Sequence, residues 1–252
     1  MTGPVLGVDI GGSGVKGAPV DLATADFTAD RFRLETPQPA TPEAVTATFS
    51  DVVRQFTSEG AIGCTFPGIV QQGVIRSAVN MDETWVGTDA AALFSAATGR
   101  PVIVLNDADA AGLAEARFGA AKGRDGVVLV LTFGTGIGSA LLNDGELVPN
   151  TEFGHLELDG EDAETRAAAA VREREDLSWE EWGLRVNRYL QHLEFLFTPD
   201  RFVVGGGVSK RFDRFADQID VRAEVVPAQL RNQAGIVGAA LVAAGHEENP
   251  AT

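Results

Sequence analysis

Apolar positions along the chain recur with two periods, and the switches between them mark out its elements. Unbroken apolar runs that end in glycine or an acid predict strands at Val5–Ile10, Ala61–Phe66, Pro101–Leu105, Leu129–Thr132 and Arg201–Val204. Asp30–Glu35 reads as a further strand, Gly73–Ser77 as a short one, and Pro37, Pro39 and Pro42 as a loop. Helical spacing appears from Thr41 to Glu59, on Val45, Phe49, Val52, Val53 and Phe56. Thr88-Asp89 caps a helix to Thr98, and Asn106-Asp107 leads into one over Ala108–Phe118. Ala163–Arg174 reads as a mixed-charge helix. Trp179–Phe197 is a longer one, opened by a Ser178/Glu181 capping box. Its stripe of Trp182, Val186, Tyr189, Leu190, Leu193 and Leu196 suits either core or a subunit interface. Val208–Gln218 and Ala234–Ala244 complete the helices, Trp85 is expected to pack inside, and the tail from His246 to Thr252 is expected to be loose.

The run at Val5 continues as Asp9-Ile-Gly11-Gly12-Ser13-Gly14-Val-Lys16 and resumes as Val15, Ala18 and Val20, which predicts strand, glycine turn, strand. Such a turn brings backbone N–H groups close to an anion, with the Ser13 hydroxyl and the Lys16 charge beside them. Gly12-Ser-Gly14-Val-Lys-Gly17 matches the dinucleotide fingerprint, but Pro19 sits where the helix of that motif would run. A P-loop needs glycine directly before its lysine, where Val15 stands, and the kinase signatures H-R-D and D-F-G do not occur. An ordinary glycine-rich hairpin is the competing reading. Against it, Leu129-Val-Leu-Thr132-Phe-Gly134-Thr135-Gly136-Ile-Gly138 repeats the pattern, with Asp9 over Thr132, Gly11 over Gly134 and Asp21 over Asp144. The offset is close to half the chain, which predicts two similar halves facing across a cleft. A third cluster, Gly205-Gly206-Gly207-Val-Ser-Lys210, follows another apolar strand.

Composition narrows the function. A chain of 252 residues, 44% hydrophobic, buries a substantial core, and its single cysteine, Cys64, excludes an internal disulfide. Neither a charged leader with an apolar core nor a bilayer-length apolar run is present, so a cytoplasmic protein is expected, without membrane association. The net charge of −16 argues against nucleic-acid binding. It does not exclude a polyanionic substrate, because screening over roughly 8 Å makes the charges lining a site matter more than the total. The three lysines, Lys16, Lys122 and Lys210, each lie at or near a glycine segment and are candidate phosphate contacts. Asp107 stands at the carboxyl end of a strand, where open α/β sheets bind ligands. Asn-Asp at a helix start also fits a plain cap.

Asp9-Ile-Gly-Gly-Ser-Gly-Val-Lys16, Thr132-Phe-Gly-Thr-Gly-Ile-Gly138, Glu152-Phe-Gly-His155 and Gly205-Gly-Gly-Val-Ser209 together resemble the ROK sugar kinases of the actin-like ATPase superfamily. Thr65-Phe-Pro-Gly68, Asn80-Met-Asp-Glu-Thr-Trp85 and the absence of a cysteine cluster bring the likeness closest to the polyphosphate-dependent glucokinases. The resemblance implies a duplicated two-domain α/β fold (ribonuclease H-like) with a central cleft. Its domains would be residues 1–106, with a helix at 234–245 packed back on them, and 107–233. It implies glucose as acceptor, with mannose left open, and polyphosphate as donor, with ATP left open. An ATP-dependent hexose kinase and a sugar-sensing ROK regulator are the alternatives, the latter lacking its helix-turn-helix here.

By the same resemblance Asp107 is the catalytic base. The sugar would be held by Gly68, Asn80, Asn106, Asp107, Glu152, His155 and Glu164. The phosphoryl donor would be held by Gly11, Gly12, Ser13, Lys16, Thr132, Gly134, Thr135, Gly136, Gly206, Gly207, Lys122 and Lys210. Asp9 would orient Mg²⁺ through water. No zinc is expected, since Leu158-Asp-Gly-Glu-Asp-Ala-Glu164 replaces the cysteine cluster of zinc-containing relatives. A homodimer is implied by the family alone.

Overall fold

The first glycine turn closes a hairpin of β1 (Val5–Gly11) and β2 (Gly14–Asp21), in which Asp9 lies directly across from Lys16 and Gly11 from Gly14. The computed structural model of the protein describes residues 3–78 and 80–248. Its chain divides into two units, one running to Ala114 and resuming at Gln233, the other spanning Glu115–Asn232. The division falls inside a helix, eight residues beyond the expected boundary after Asn106.

In the first unit, β3 (Asp26–Phe27) and β4 (Phe32–Leu34) pair with β2; the strand expected over Asp30–Glu35 is β4, shortened to three residues. After α1 (Pro42–Val53) come β5 (Ile62–Phe66), the small hairpin β6 (Val70–Gln71) and β7 (Val74–Ile75), α2 (Ala90–Thr98) and β8 (Val102–Asn106). The sheet order is β3-β2-β1-β5-β8, with β1, β5 and β8 parallel. α1 stops at Val53, short of the expected Glu59. Val45, Phe49, Val52 and Val53 pack on the sheet with Phe66, Trp85 and Phe94. Trp85 is fully buried and its indole N–H donates to the Ala40 carbonyl (2.9 Å). α3 (Asp107–Phe118) leaves β8 directly.

The last helix, α7 (Ala234–Glu248), returns to this unit and runs four residues past the expected Ala244. Of the tail expected to be loose, His246–Glu248 are helical and residues 249–252 lie outside the described residues. Two neighbouring strand positions explain how the helix packs so closely. A Cβ on Gly63 would come within 1.7 Å of the Ala239 carbonyl oxygen, and one on Gly7 within 2.0 Å of that of Ile236. Only glycine lets the helix backbone lie on the strand backbone there.

The second unit repeats the plan. β9 (Val127–Phe133) and β10 (Ile137–Asn143) form a hairpin, extended by β11 (Glu146–Val148). After the small hairpin β12 (Glu157–Leu158) and β13 (Glu161–Asp162), the helix expected over Ala163–Arg174 is two, α4 (Glu164–Ala167) and α5 (Ala169–Arg174). Ala168 is extended between them (φ −60°, ψ 152°), and the Trp182 indole N–H donates to the carbonyls of Ala167 and Ala168, which the break leaves available. α6 (Trp179–Phe197) keeps its expected span and capping box. Five of the six stripe residues are buried, but Leu196 is 46% exposed.

β14 (Arg201–Gly206) and β15 (Glu224–Pro227) complete the order β11-β10-β9-β14-β15. The segment expected as a helix over Val208–Gln218 consists of 3₁₀ turns, Gly207–Arg214 and Ala216–Gln218, interrupted at Arg211 and Phe215.

Candidate functional site

In the first unit the Asp9 carboxylate is the centre of a small network. Cross-strand pairing puts Lys16 Nζ 2.8 Å from Asp9 Oδ2, and parallel pairing with β5 puts Thr65, whose Oγ1 donates to Asp9 Oδ1 at 2.7 Å. Gly235, in the first turn of α7, approaches so closely that a Cβ there would sit 3.2 Å from Oδ2. Lys16 is thus held by Asp9. A cation that sequence reasoning missed lies over the turn itself: Arg33 Nη2 donates to the Ser13 carbonyl (2.6 Å), and a Cβ on Gly14 would meet its guanidinium at 2.5 Å. Arg33 reaches the turn because β4 places it beside Lys16. That long-range pairing leaves no local signal in the sequence. Asn80, at φ 58°, stands against Gly12, where an added Cβ would lie 3.1 Å from its own.

Asn106 and Asp107 occupy the end of β8. The Asn106 side-chain oxygen accepts from the N–H groups of Ala108 (2.7 Å) and Asp109 (3.0 Å), and its Nδ2 donates to the Gly68 carbonyl (3.1 Å). Buried and engaged at both ends, Asn106 is the N-cap of α3 and ties that helix to the Gly68 loop. Its cap presents the next residue, Asp107, at the exposed first position of the helix. Cys64 beneath this region is fully buried; burial first, and then the nearby Asp9 charge, push its thiol well above the ordinary range.

In the second unit the β9–β10 turn carries Gly134, Thr135 and Gly136, with Thr132 on β9. The Glu164 carboxylate closes it: Oε2 accepts from Ile137 N–H at 2.9 Å, and a Cβ on Gly136 would strike that oxygen at 2.3 Å. Glu164 Oε1 is 3.8 Å from His155 Nδ1, which also contacts Asp162 Oδ2 at 3.0 Å. Asp162 was not picked out from the sequence, because only the β12–β13 hairpin brings it back to His155.

Ser139 and Thr151 lock the segment before it. The Ser139 hydroxyl donates to the Thr151 carbonyl (2.7 Å) and accepts from Phe153 N–H (2.9 Å), which sets Glu152 beside His155. Burial raises the Glu152 carboxyl above its usual range; the His155 charge opposes this and Glu164 adds to it. The hydrogen bond to Asp162 raises His155, against a desolvation effect and with help from Glu164, Glu152 and Asp162. Glu152, His155, Asp162 and Glu164 therefore form one hydrogen-bonding and electrostatic group, of the kind that pairs with neighbouring hydroxyls. Among the described residues no group of three or more His, Cys, Asp and Glu side chains is arranged to hold a metal ion.

Gly206 ends β14 and Gly207 follows it; parallel pairing sets Gly206 beside Phe133 and so brings the third glycine segment to the second turn. Lys210 is exposed three residues further on. Lys122 is not brought there. It lies in the turn between α3 and β9, at the amino end of the strand, close to Arg124, which pairs with Glu224 opposite the first residue of β14 (3.4 Å). The Gly134 turn is at the carboxyl end of β9, roughly 20 Å away along a seven-residue strand.

Comparison with known proteins agrees with this geometry. The ROK family model matches residues 5–171. The chain is similar to a polyphosphate glucokinase of Mycobacterium tuberculosis, at 51% identity over 94% of this chain and 89% of that protein. It is also similar to the solved inorganic polyphosphate/ATP-glucomannokinase of an Arthrobacter strain, with a TM-score of 0.92 and 54% identity over 97% of this chain and all of the other. A ROK glucokinase from Streptomyces griseus, solved with glucose and AMPPNP, superposes with a TM-score of 0.82 at 25% identity, over 96% of this chain and all of that one. The architecture is the actin-like fold of these sugar kinases. With more than half its length matched by the family model, the chain belongs to the ROK family.

Proposed function

We propose that the protein transfers the terminal phosphoryl group of inorganic polyphosphate to the 6-hydroxyl of glucose, giving glucose 6-phosphate. The observation that carries this reading is the likeness, across essentially the whole chain, to a polyphosphate/ATP-glucomannokinase. The same likeness supports ATP as a second donor and mannose as a second acceptor. It is consistent with a cytoplasmic homodimer, and no helix among the described residues is long and apolar enough to cross a membrane.

Asp107 accepts the proton of the sugar hydroxyl as that oxygen forms its bond to the terminal phosphorus. The bond from that phosphorus to the bridging oxygen breaks, and the shortened phosphate chain leaves with the electron pair. Glu152, His155 and Glu164 hold the sugar through its other hydroxyls, and a sugar without a hydroxyl where one of them points leaves that group unpaired. The two glycine turns supply backbone N–H groups to the donor. Asp9 suits a hydrated Mg²⁺: it is one carboxylate, kept in place by Thr65 and Lys16, for an ion that retains most of its water. When bound, Mg²⁺ neutralises charge on the donor phosphates.

Initial rates of glucose phosphorylation with polyphosphate or ATP as sole donor, in the presence of Mg²⁺, test the reading. A higher kcat/KM with polyphosphate is expected. Transfer from neither donor overturns it.

A further inference from the structure

A cavity of about 430 Å³ opens beside the second glycine turn. Gly134 and Thr135 line it from the turn, Gly207 from just after β14, and Arg172, Trp179 and Arg211 from the segments around them. The guanidinium of Arg172 lies over the Trp179 ring, 4.2 Å from its centre, and Nη1 donates to the Leu177 carbonyl at 2.9 Å. Trp179 also runs parallel to Phe215, at 6.0 Å and 14°, and meets Trp182 edge-on at 5.8 Å. The indole is thereby committed to its neighbours, and the chemistry it lends the cavity is a braced cation. Arg211 is exposed, sits at the interruption of the 3₁₀ run (φ −124°, ψ 19°), and has no ion-pair partner among the described residues. Glu173 is the one acid of the lining, so two arginines stand against one carboxylate in a chain of net charge −16.

Resting on the function proposed above, we infer that Arg172 and Arg211 are donor-specificity residues. They hold the phosphates behind those bound at the glycine turns, so that the cavity takes a continuing phosphate chain in preference to a purine. A purine gains most from an open aromatic face, and the Trp179 ring is occupied by Arg172. Each phosphate of a chain offers oxygens that match a guanidinium fork. Neither arginine stands in a glycine motif, and only the fold brings both to the Gly134 turn.

The test measures KM for a long-chain polyphosphate, for a polyphosphate of three or four units and for ATP, at saturating glucose, in wild type, Arg172→Ala and Arg211→Ala. Each substitution is expected to raise KM for the long chain about ten-fold or more, as loss of a charge-assisted contact does. The short donor is affected less, and KM for glucose stays unchanged. Arg172→Ala, which bares the indole, is expected to leave KM for ATP unchanged or lower it. Melting curves check folding, and Arg211, being exposed, keeps the test valid if Arg172→Ala unfolds. A wild type active with polyphosphate whose variants keep their long-chain KM overturns this inference alone. A wild type inactive with polyphosphate overturns the functional reading and this inference with it.

Discussion

The two units carry the same sheet plan and use it differently. In each, a hairpin is extended by an antiparallel strand on one side and two parallel strands on the other, as β3-β2-β1-β5-β8 and β11-β10-β9-β14-β15. The first hairpin closes through two residues, Gly12 and Ser13, and sets Asp9 across from Lys16. The second closes through three, Gly134 to Gly136, and sets Thr132 across from Gly138. The first hairpin therefore carries a charged pair beside its turn, and the second an uncharged pair beside a turn closed by Glu164. The parallel strands differ likewise. Gly7 beside Gly63 lets α7 touch the first sheet, whereas the second sheet has Val130 beside Val203. β8 ends in Asn106 and delivers Asp107, whereas β15 ends in Pro227 and is followed by Ala228. A shared topology thus fixes where loops emerge, and local side chains decide which half carries Asp107 and which the group of Glu152, His155, Asp162 and Glu164.

The sharpest way to break this comparison is to remove the carboxylate that only the first unit places after its third parallel strand. Asp107→Asn is expected to lower kcat for glucose phosphorylation about 10²- to 10⁴-fold, the usual contribution of a positioned base, while calorimetry still shows glucose binding. Near wild-type turnover would mean the asymmetry is not catalytic. Next in size is the helix seat. Gly63→Ala drives a methyl into the backbone of α7 and is expected to cost about 3 kcal/mol, the upper end for overpacking, in denaturant unfolding. Val203→Ala at the matching position of the second sheet removes two carbons, about 1.6 kcal/mol of transfer free energy. Equal losses would show that the glycine pair is not what seats α7.

The smallest effect concerns the second unit's polar group. Because His155 has a raised folded-state value, its pairing with Asp162 stabilises most below the ordinary histidine value of 6.5. The contribution fades as pH rises through the raised value. His155 is half exposed, so the effect is well below 1 kcal/mol. Asp162→Asn is expected to lower the His155 midpoint in an NMR titration; an unchanged midpoint would separate the two residues.

Much of this organisation was legible beforehand because it is local. Glycine turns after apolar runs, the Ser178/Glu181 box and the stripe of α6 depend on residues a few positions apart, so their consequences are written in spacing. Shorter or broken elements escaped. Glu224–Pro227 is strand because β14 offers it an edge, and α4 and α5 separate where Trp182 takes up the freed carbonyls. The motif residues Asp9, Asn106, Glu152, His155 and Glu164 were visible one by one, but the neighbours that hold them were not. Lys16 pairs with Asp9, Asn106 caps α3, and Lys122 lies at the opposite end of β9 from the Gly134 turn.

The sequence by itself determined the duplicated strand, turn and strand pattern, the acid at a helix start and the acidic balance, since each follows from residue type at short range. Only the tertiary structure decided which charges meet. Arg33 at the Ser13 turn, Asp162 on His155, and Arg172 with Arg211 at one cavity depend on how strands pair and segments pack. Hydrogen bonds and ion pairs act over a few ångströms, so no spacing in the sequence encodes them.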